Sequence, residues 1–258
     1  MENINHNTMA EYIKSGEAIT PNGELSETLK LGKSGALEVY YAPFNYVNKE
    51  ARVVICGITP GMSQAKIAIQ ELQRQLNLGV PLNEACKLAK ETASFAGVMR
   101  TNMVKMLDSV GVNGYLGIES TAELFGESRG MVHYTSALKY PVFKSGKNYS
   151  GTPSMVNNQF LRGYLDKFLA SEIEQLSDNA LYIPLGPKVN EALIYLSNNG
   201  VLKDEQILSG LPHPSGANAE RIAYFLGQKK KSTLSSKTNS DIIDTAKDMI
   251  LTKIRRMK

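Results

Sequence analysis

One of the chain's three histidines, His213, lies between two prolines in the segment Leu211-Pro212-His213-Pro214-Ser215-Gly216. Each proline fixes its own backbone φ angle, so the imidazole is carried on a rigid turn. Neither proline has a backbone N–H group, which makes this a poor setting for a purely structural histidine. We therefore interpret His213 as a residue for chemistry that needs one fixed hydrogen-bond donor.

A second rigid turn follows a short apolar run about 150 residues earlier in the chain. Val53-Val54-Ile55-Cys56 predicts a buried strand, Gly57-Ile58-Thr59-Pro60-Gly61 predicts a turn, and a helical pattern begins at Gln64. Pro60 and Gly61 interrupt the glycine spacing of a dinucleotide-binding fingerprint, and the turn lacks the lysine of a phosphate-binding P-loop. Rigid turns at strand ends are typical of sites in open α/β sheets.

Composition restricts the class of protein. The 258 residues are 42% hydrophobic and 21% charged, as in an ordinary globular domain. No apolar run approaches the roughly 20 residues of a membrane span. The first residues do not resemble a signal peptide, so we expect a cytoplasmic protein with no membrane partner. With only Cys56 and Cys86, a disulfide framework and a four-cysteine metal or iron–sulfur site are excluded by count.

Strand and helix patterns alternate four times, with strands predicted at 52–57, 131–138, 180–185 and 206–211. This alternation predicts an α/β domain with a central, mainly parallel four-stranded sheet that is covered on both faces. We expect a helical N-terminal extension at 1–34, this domain at 35–228, and a basic linker with a C-terminal helix at 229–258. In such a sheet Thr59, Ser136 and His213 should converge at the carboxyl ends of the strands.

Five segments, in order along the chain, resemble motifs of the uracil-DNA glycosylase superfamily. They are Gly57-Ile58-Thr59-Pro60-Gly61, Ser94-Phe95-Ala96-Gly97, His133-Tyr134-Thr135-Ser136-Ala137-Leu138-Lys139, Tyr182-Ile183-Pro184-Leu185-Gly186 and His213-Pro214-Ser215-Gly216. The resemblance implies that superfamily's three-layer α/β/α fold. It also implies a monomeric, monofunctional enzyme that needs no metal or other cofactor. The reaction would be hydrolysis of the N-glycosidic bond of a uracil or 5-substituted pyrimidine flipped out of DNA, for base-excision repair or defence against modified foreign DNA.

The same resemblance implies roles for individual residues. Thr59 would hold the hydrolytic water, and His213 would donate to the pyrimidine oxygen on which negative charge develops. Phe95 would stack on the flipped base, and Ser136 stands where an asparagine usually reads its edge. The base pocket would also include Gly57, Ile58, Pro60 and Gly61. Contacts with DNA are expected from Ser63, Lys144, Lys147, Pro214, Ser215, Gly216 and Asn218, and from the lysine run 229–231 on the same side as the pocket.

The chain departs from the superfamily pattern in ways that bear on activity. Thr59 replaces a carboxylate or carboxamide, so general-base help, worth roughly 10²–10⁴-fold, is missing at this position. Gly61 stands where uracil-specific enzymes place a tyrosine, and Ser136 is also small, so the pocket should admit bulk at C5 of the pyrimidine. Helices predicted at 64–77 and 82–92 form an insertion that could cover the pocket.

Two alternatives stay open. Because Thr59 cannot act as a base, the chain could be a superfamily member that binds unusual bases in DNA without cleaving them. It could also be an unrelated α/β enzyme that acts on a free nucleotide or nucleoside. The net charge of +4 is compatible with DNA and does not require it. Salt-sensitive binding to DNA would separate the last alternative from the other two interpretations.

Overall fold

The computed structural model of the protein describes residues 4–94 and 97–257. The chain forms two compact units, each assembled from three separate stretches. Unit 1 comprises residues 1–47, 58–94 and 134–169, and unit 2 comprises residues 48–57, 95–133 and 170–258. The division expected from the sequence, with boundaries after residues 34 and 228, stays a prediction.

The secondary structure is mixed. The labelled helices are α1 (His6–Lys14), α2 (Met62–Asn77), α3 (Leu82–Ala93), α4 (Gly97–Ser109), α5 (Val112–Leu116), α6 (Gln159–Tyr164), α7 (Ser171–Ile173), α8 (Pro187–Asn198), α9 (Ala219–Phe225) and α10 (Ser240–Arg256). The strands are β1 (Lys30–Ser34), β2 (Leu37–Tyr40), β3 (Val53–Gly57), β4 (Val132–Ser136), β5 (Val142–Lys144), β6 (Lys147–Asn148) and β7 (Leu181–Pro184). The predicted α/β class is confirmed at this level.

Unit 2 contains β3 and β7, which pair in parallel from Val53–Leu181 to Cys56–Pro184. The strand order of this sheet is β4-β3-β7, and β4 passes from unit 2 into unit 1 after His133. Val53 to Cys56 are all 0% exposed. A strand that is apolar at every position, without alternation, is typical of a parallel sheet buried on both faces.

The predicted fourth strand is reduced to a single bridge in the described residues. Only Ile207 pairs in parallel with Tyr182, and the Leu208 N–H donates to the Tyr182 carbonyl at 2.9 Å. The chain then turns at Ser209 and Gly210, where the Gly210 φ of +101° ends the extended conformation. The parallel sheet therefore has three strands in the described residues, and the expectation of four was wrong at 206–211.

Unit 1 contains an antiparallel sheet with strand order β1-β2-β5-β6. The alternation of apolar and polar residues over 38–47 predicts one strand, which β2 confirms in its first part, but it does not predict the sheet. In the segment 1–34, which was expected to be helical, α1 is a helix, but Glu27–Leu29 form a single 3₁₀ turn and the chain then continues as β1, which pairs with β2. The helices predicted at 64–77 and 82–92 are confirmed as α2 and α3. Each buries one apolar stripe, which includes Leu72 in α2 and Ala89 in α3.

Candidate functional site

The turn after β3 is held by the side chain of Thr59. Its hydroxyl donates to the Tyr140 carbonyl at 2.8 Å and accepts from the Val142 N–H at 3.1 Å. The neighbouring Ile58 carbonyl accepts from the Leu138 N–H at 2.9 Å. The hydroxyl hydrogen of Thr59 is thus committed to the backbone, and a single lone pair is left for any water. Its role in holding water stays a prediction.

Gly61 is the N-cap of α2 and packs against Asn148 of β6. The Met62 N–H donates to Asn148 Oδ1 at 2.9 Å, and the Gly61 N–H donates to Gln64 Oε1 at 3.1 Å. A Cβ atom added to Gly61 would lie 3.2 Å from Asn148 Nδ2. Asn148 therefore occupies part of the space that a side chain at position 61 would take. Glycine at position 61 lets Asn148 approach the start of α2 this closely.

The predicted DNA contacts of unit 1 lie on two adjacent elements. Ser63 is exposed in the first turn of α2, where the positive end of the helix dipole favours an anion. Lys144 and Lys147 are exposed on the β5–β6 hairpin, whose turn has positive φ at Ser145 and Gly146. The Met62–Asn148 hydrogen bond fastens this hairpin to the start of α2. The three predicted contacts are therefore carried on one connected patch of unit 1.

The end of β4 presents hydroxyl groups close to the Thr59 turn. Ser136 is half-buried, and Leu138, two residues later, is bonded directly to Ile58. The adjacent Thr135 is 7% exposed, and its Oγ1 has no hydrogen-bond partner in the described part of the chain. Unit 1 thus brings Ser136 near the first turn. Pro60 is buried beside it, while Gly57 and Ile58 are half-buried.

The loop of His213 in unit 2 determines which imidazole nitrogen carries the proton and partly buries the ring. The Ser215 N–H donates to His213 Nδ1 at 3.2 Å, so in the neutral ring the proton lies on Nε2. Within the residues that the structure describes, Nε2 has no hydrogen-bond partner. Burial lowers the pKa of His213 below its ordinary value, which favours this neutral form. His213 therefore offers one free N–H donor.

Two contacts from outside the loop hold His213 and its neighbours. Gly186, which follows β7 with a φ of +95°, lies against the imidazole, and a Cβ there would be 3.3 Å from His213 Cδ2. The side chain of Asn102 in α4 donates to the Pro214 carbonyl at 2.9 Å. Asn102 carries no sequence signal for this role, because its partner lies 112 residues away.

The predicted DNA-contacting residues of this loop differ in what they expose. Gly216 is exposed, and Ser215 and Asn218 are half-buried, with the Asn218 amide donating to Ser215 Oγ at 3.2 Å. Pro214 is buried, has no N–H group, and its carbonyl accepts from Asn102. Pro214 therefore shapes the loop and offers little to a phosphate group. The predicted contacts of the other three residues stay predictions.

The lysine run 229–231 is largely paired within unit 2. Lys229 Nζ lies 2.7 Å from Glu220 Oε1, and Lys231 Nζ lies 2.6 Å from Asp241 Oδ1. Ser235 and Thr238 also donate to the Glu220 carboxylate, each at 2.6 Å. The segment predicted to be a basic linker is thus bonded to α9 and α10, and two of the three lysines at 229–231 have carboxylate partners.

The described histidines have different environments. His133 is 2% exposed, its Nε2 lies 2.6 Å from Glu172 Oε1, and its Nδ1 accepts from the Asn48 N–H at 3.3 Å. This is a structural pair, in contrast to the open Nε2 of His213. Phe95, the predicted stacking residue, lies outside the described residues.

Neither a metal-binding cluster nor a membrane-spanning helix is present in the described part of the chain. Over residues 4–94 and 97–257, no group of three or more His, Cys, Asp or Glu side chains is arranged to hold a metal ion. No helix in these ranges combines the length and the apolar character needed to cross a membrane.

Comparison with known proteins relates the chain to a bacterial protein. No protein-family model matches the chain, and no solved structure does. The chain is 34% identical over 249 residues to the Bacillus subtilis (strain 168) protein described as "Uncharacterized protein YoxB". The matched region covers 94% of this chain and 97% of the relative. At this identity and coverage, the chain belongs to the family of YoxB.

Proposed function

We propose that this protein is a DNA glycosylase that hydrolyses the N-glycosidic bond of a uracil or 5-substituted pyrimidine flipped out of DNA. The observation that carries the proposal is the protonation and hydrogen bonding of the His213 imidazole. A neutral imidazole on a proline-bounded loop, with Nδ1 engaged and Nε2–H unengaged, is the donor such a reaction needs. The proposal includes the superfamily's three-layer fold, a cytoplasmic location and a monomer acting without metal or other cofactor.

The chemistry requires a donor at the departing base. As the glycosidic bond lengthens, positive charge develops on the sugar and negative charge on the pyrimidine oxygens. A donor fixed beforehand at one of these oxygens stabilises the transition state without reorganisation during the reaction. The Ser215 N–H and the flanking prolines hold the imidazole in place, so His213 Nε2–H meets this requirement.

Water activation is the weaker part of the proposed chemistry. Thr59 uses its hydroxyl hydrogen on the Tyr140 carbonyl and cannot take a proton near neutral pH. We infer that any hydrolysis proceeds with little general-base assistance, which predicts a slow enzyme. The same observation favours a second candidate function, a protein that recognises an unusual base in DNA without cleaving it.

Contacts with DNA are proposed from exposed polar groups of each unit. In unit 1 these are Ser63, Lys144 and Lys147, carried on the first turn of α2 and on the β5–β6 hairpin. In unit 2 they are Ser215, Gly216 and Asn218 of the His213 loop. Such contacts would position the duplex or single strand without reading its sequence.

The test is base release from a panel of oligonucleotides that carry uracil, mismatched thymine or a 5-substituted cytosine, with abasic sites as the readout. His213→Ala should lower the release rate roughly 10²–10³-fold, as for loss of one preorganised donor. His213→Gln, whose amide can still donate, is the matched variant and should retain more activity. The proposal fails if the wild type releases a base and His213→Ala releases it equally fast.

Binding separates the alternatives when no base is released. Tight, salt-dependent binding to a modified oligonucleotide would favour the non-cleaving recognition protein. Absence of salt-dependent DNA binding would contradict both DNA-directed interpretations. Hydrolysis of a free nucleotide or nucleoside by the same preparation would then support the remaining alternative.

A further inference from the structure

The loop that carries His213 has little support from the sheet. Among the described residues upstream of the loop, only Ile207 pairs with β7, and Leu208 adds one hydrogen bond to Tyr182. From Ser209 onward the chain leaves the sheet in a turn. A loop that must hold an imidazole still therefore needs restraint from elsewhere in unit 2.

Helix α10 supplies restraint before the loop through Lys253. The ammonium group donates to the Asp204 carbonyl at 2.8 Å and to the Ile207 carbonyl at 3.0 Å, and it also approaches Asp204 Oδ2 at 3.4 Å. Charge-assisted hydrogen bonds of this kind are stronger than neutral ones. One side chain from the C-terminal helix thus bonds to the first residue of the 3₁₀ turn Asp204–Gln206 and to Ile207, which follows the turn and pairs with β7.

The same helix crosses the loop's first turn at Gly210. A Cβ atom on Gly210 would lie 2.4 Å from Ala246 Cβ, and real Cβ atoms do not approach this closely. Because the Ala246 Cβ is attached directly to the helix backbone, it cannot move aside as a flexible side chain would. The backbone of the loop therefore rests on α10 at a distance that only glycine permits.

Contacts after the loop complete the attachment. Lys247 Nζ donates to the Phe225 carbonyl at the end of α9 at 2.6 Å, and Tyr224 donates to Asp244 Oδ2 at 2.8 Å. Ile243, Ile250 and Ile254, all at most 8% exposed, form the buried stripe of α10. The helix consequently holds the chain both before and after the loop.

We propose that α10 is a strap that positions the His213 loop, with Lys253 and the Gly210–Ala246 crossing as its positioning contacts. The catalytic consequence rests on the proposed function, whereas the positioning itself does not. Lys253, Gly210 and Ala246 would therefore act through His213, without contacting the DNA or the base.

The first test is nuclear magnetic resonance of the imidazole of His213, which is readily assigned because the chain has three histidines. Lys253→Met removes the ammonium and keeps the length of the side chain. Lys230→Met is the matched control, since Lys230 is exposed and its ammonium forms no ion pair within the described residues. We expect Lys253→Met, and not Lys230→Met, to shift the His213 ring signals and move its pKa back toward the ordinary value. Lys253→Arg should restore the wild-type signals.

The second test is a double-mutant cycle of Gly210→Ala, Ala246→Gly and both together. The Gly210→Ala change brings backbone strain in every background, so the cycle isolates the contact between the two positions. We expect Gly210→Ala alone to disturb the His213 signals, and the added Ala246→Gly to return them toward those of the wild type. If Gly210→Ala does not fold, comparison of the His213 signals in Lys253→Met, Lys253→Arg and Lys230→Met still tests the proposal.

Activity provides a separate readout. Displacement of a reacting group by about 1 Å can cost on the order of 10²-fold in rate, so Lys253→Met should lower base release by about 10-fold or more, with little change in DNA affinity. The proposal that α10 positions the His213 loop is wrong if Lys253→Met leaves the His213 signals and titration unchanged and the double-mutant cycle shows no coupling between positions 210 and 246. Because the resonance measurement needs no activity, a protein that releases no base would refute the proposed function and still leave the strap testable.

Discussion

At the scale of single residues, the imidazole of His213 is prepared as a neutral donor by two neighbours. The Ser215 N–H occupies Nδ1, and burial disfavours the charged ring. Protonation of Nδ1 would remove the acceptor for the Ser215 N–H and alter the loop. The protonation state of this one side chain therefore links the geometry of the loop to pH.

This link predicts the pH profile of base release. The pKa of folded His213 lies below 6.5, so the neutral ring should persist to lower pH than in a model peptide. We expect the acidic fall of kcat/KM to be centred below the ordinary imidazole pKa, and this fall should be absent in His213→Gln. By linkage, the unfolded chain binds the proton first, so the group's contribution to stability is complete above pH 6.5 and is lost as pH falls below it. A rate that rises on acidification through this range would contradict the neutral donor.

Thr59 leads to a prediction about stability. Thr59→Val keeps the shape of the side chain and removes two hydrogen bonds, one to the Tyr140 carbonyl and one from the Val142 N–H. We expect the free energy of unfolding in urea to fall by about 1–3 kcal/mol, since each hydrogen bond typically contributes about 0.5–1.5 kcal/mol. Thr59→Ser retains the hydroxyl and should lose less. Equal stability of Thr59→Val and the wild type would mean that the two hydrogen bonds of the Thr59 hydroxyl contribute little to the stability of the fold.

At the scale of elements, the segment before α10 is pinned by one carboxylate. Hydrogen bonds from Lys229, Ser235 and Thr238 hold the pKa of Glu220 far below its usual range. Because the depressed pKa belongs to the folded state, the contribution of Glu220 is present above the ordinary carboxyl pKa and is lost only as pH falls below it. The segment 229–239 should therefore stay attached to α9 throughout the neutral and mildly acidic range.

Limited proteolysis with trypsin tests this attachment. Glu220→Gln weakens the acceptor for Lys229, Ser235 and Thr238 without changing the size of the side chain. We expect faster cleavage within 229–239 at neutral pH. Glu84→Gln, which breaks an exposed pair with Lys87, is the control and should leave the cleavage pattern unchanged. Identical patterns for Glu220→Gln and the wild type would show that other contacts hold the segment.

At the scale of the whole molecule, a net charge of +4 does not say where a polyanion would bind. The two groups of lysines that the sequence predicts as DNA contacts have different environments in the structure. Lys144 and Lys147 are exposed on the β5–β6 hairpin, whereas Lys229 and Lys231 have carboxylate partners. A paired lysine has less charge to offer a phosphate, so the hairpin should contribute more to DNA affinity.

The salt dependence of DNA binding measures this difference. Replacement of both Lys144 and Lys147 by alanine should reduce the slope of log K against log salt by about two, one for each phosphate that is no longer neutralised. Replacement of both Lys229 and Lys231 changes the net charge by the same amount and should reduce the slope by less. If the second double variant has the larger effect, the hairpin is not the main phosphate-binding surface.

Sequence by itself determined the parts whose structure depends on near neighbours. The apolar run of β3, the stripes of α2 and α3, β7 and the two rigid turns were all predicted because their periodicity and their Gly and Pro residues act over a few positions. The candidate residues Thr59 and His213 were found for the same reason, since both lie in such turns.

Tertiary structure decided everything that depends on a distant partner. Whether residues 206–211 form a strand depended on the turn at Gly210 and on the crossing of α10, whose Ala246 is 36 positions away. Thr59 is bonded to carbonyl and amide groups more than 80 residues along the chain, and Lys229 and Lys231 meet carboxylates of α9 and α10. Periodicity cannot reveal such pairings, because a hydrogen bond or ion pair forms wherever packing brings two groups together, whatever their separation in sequence.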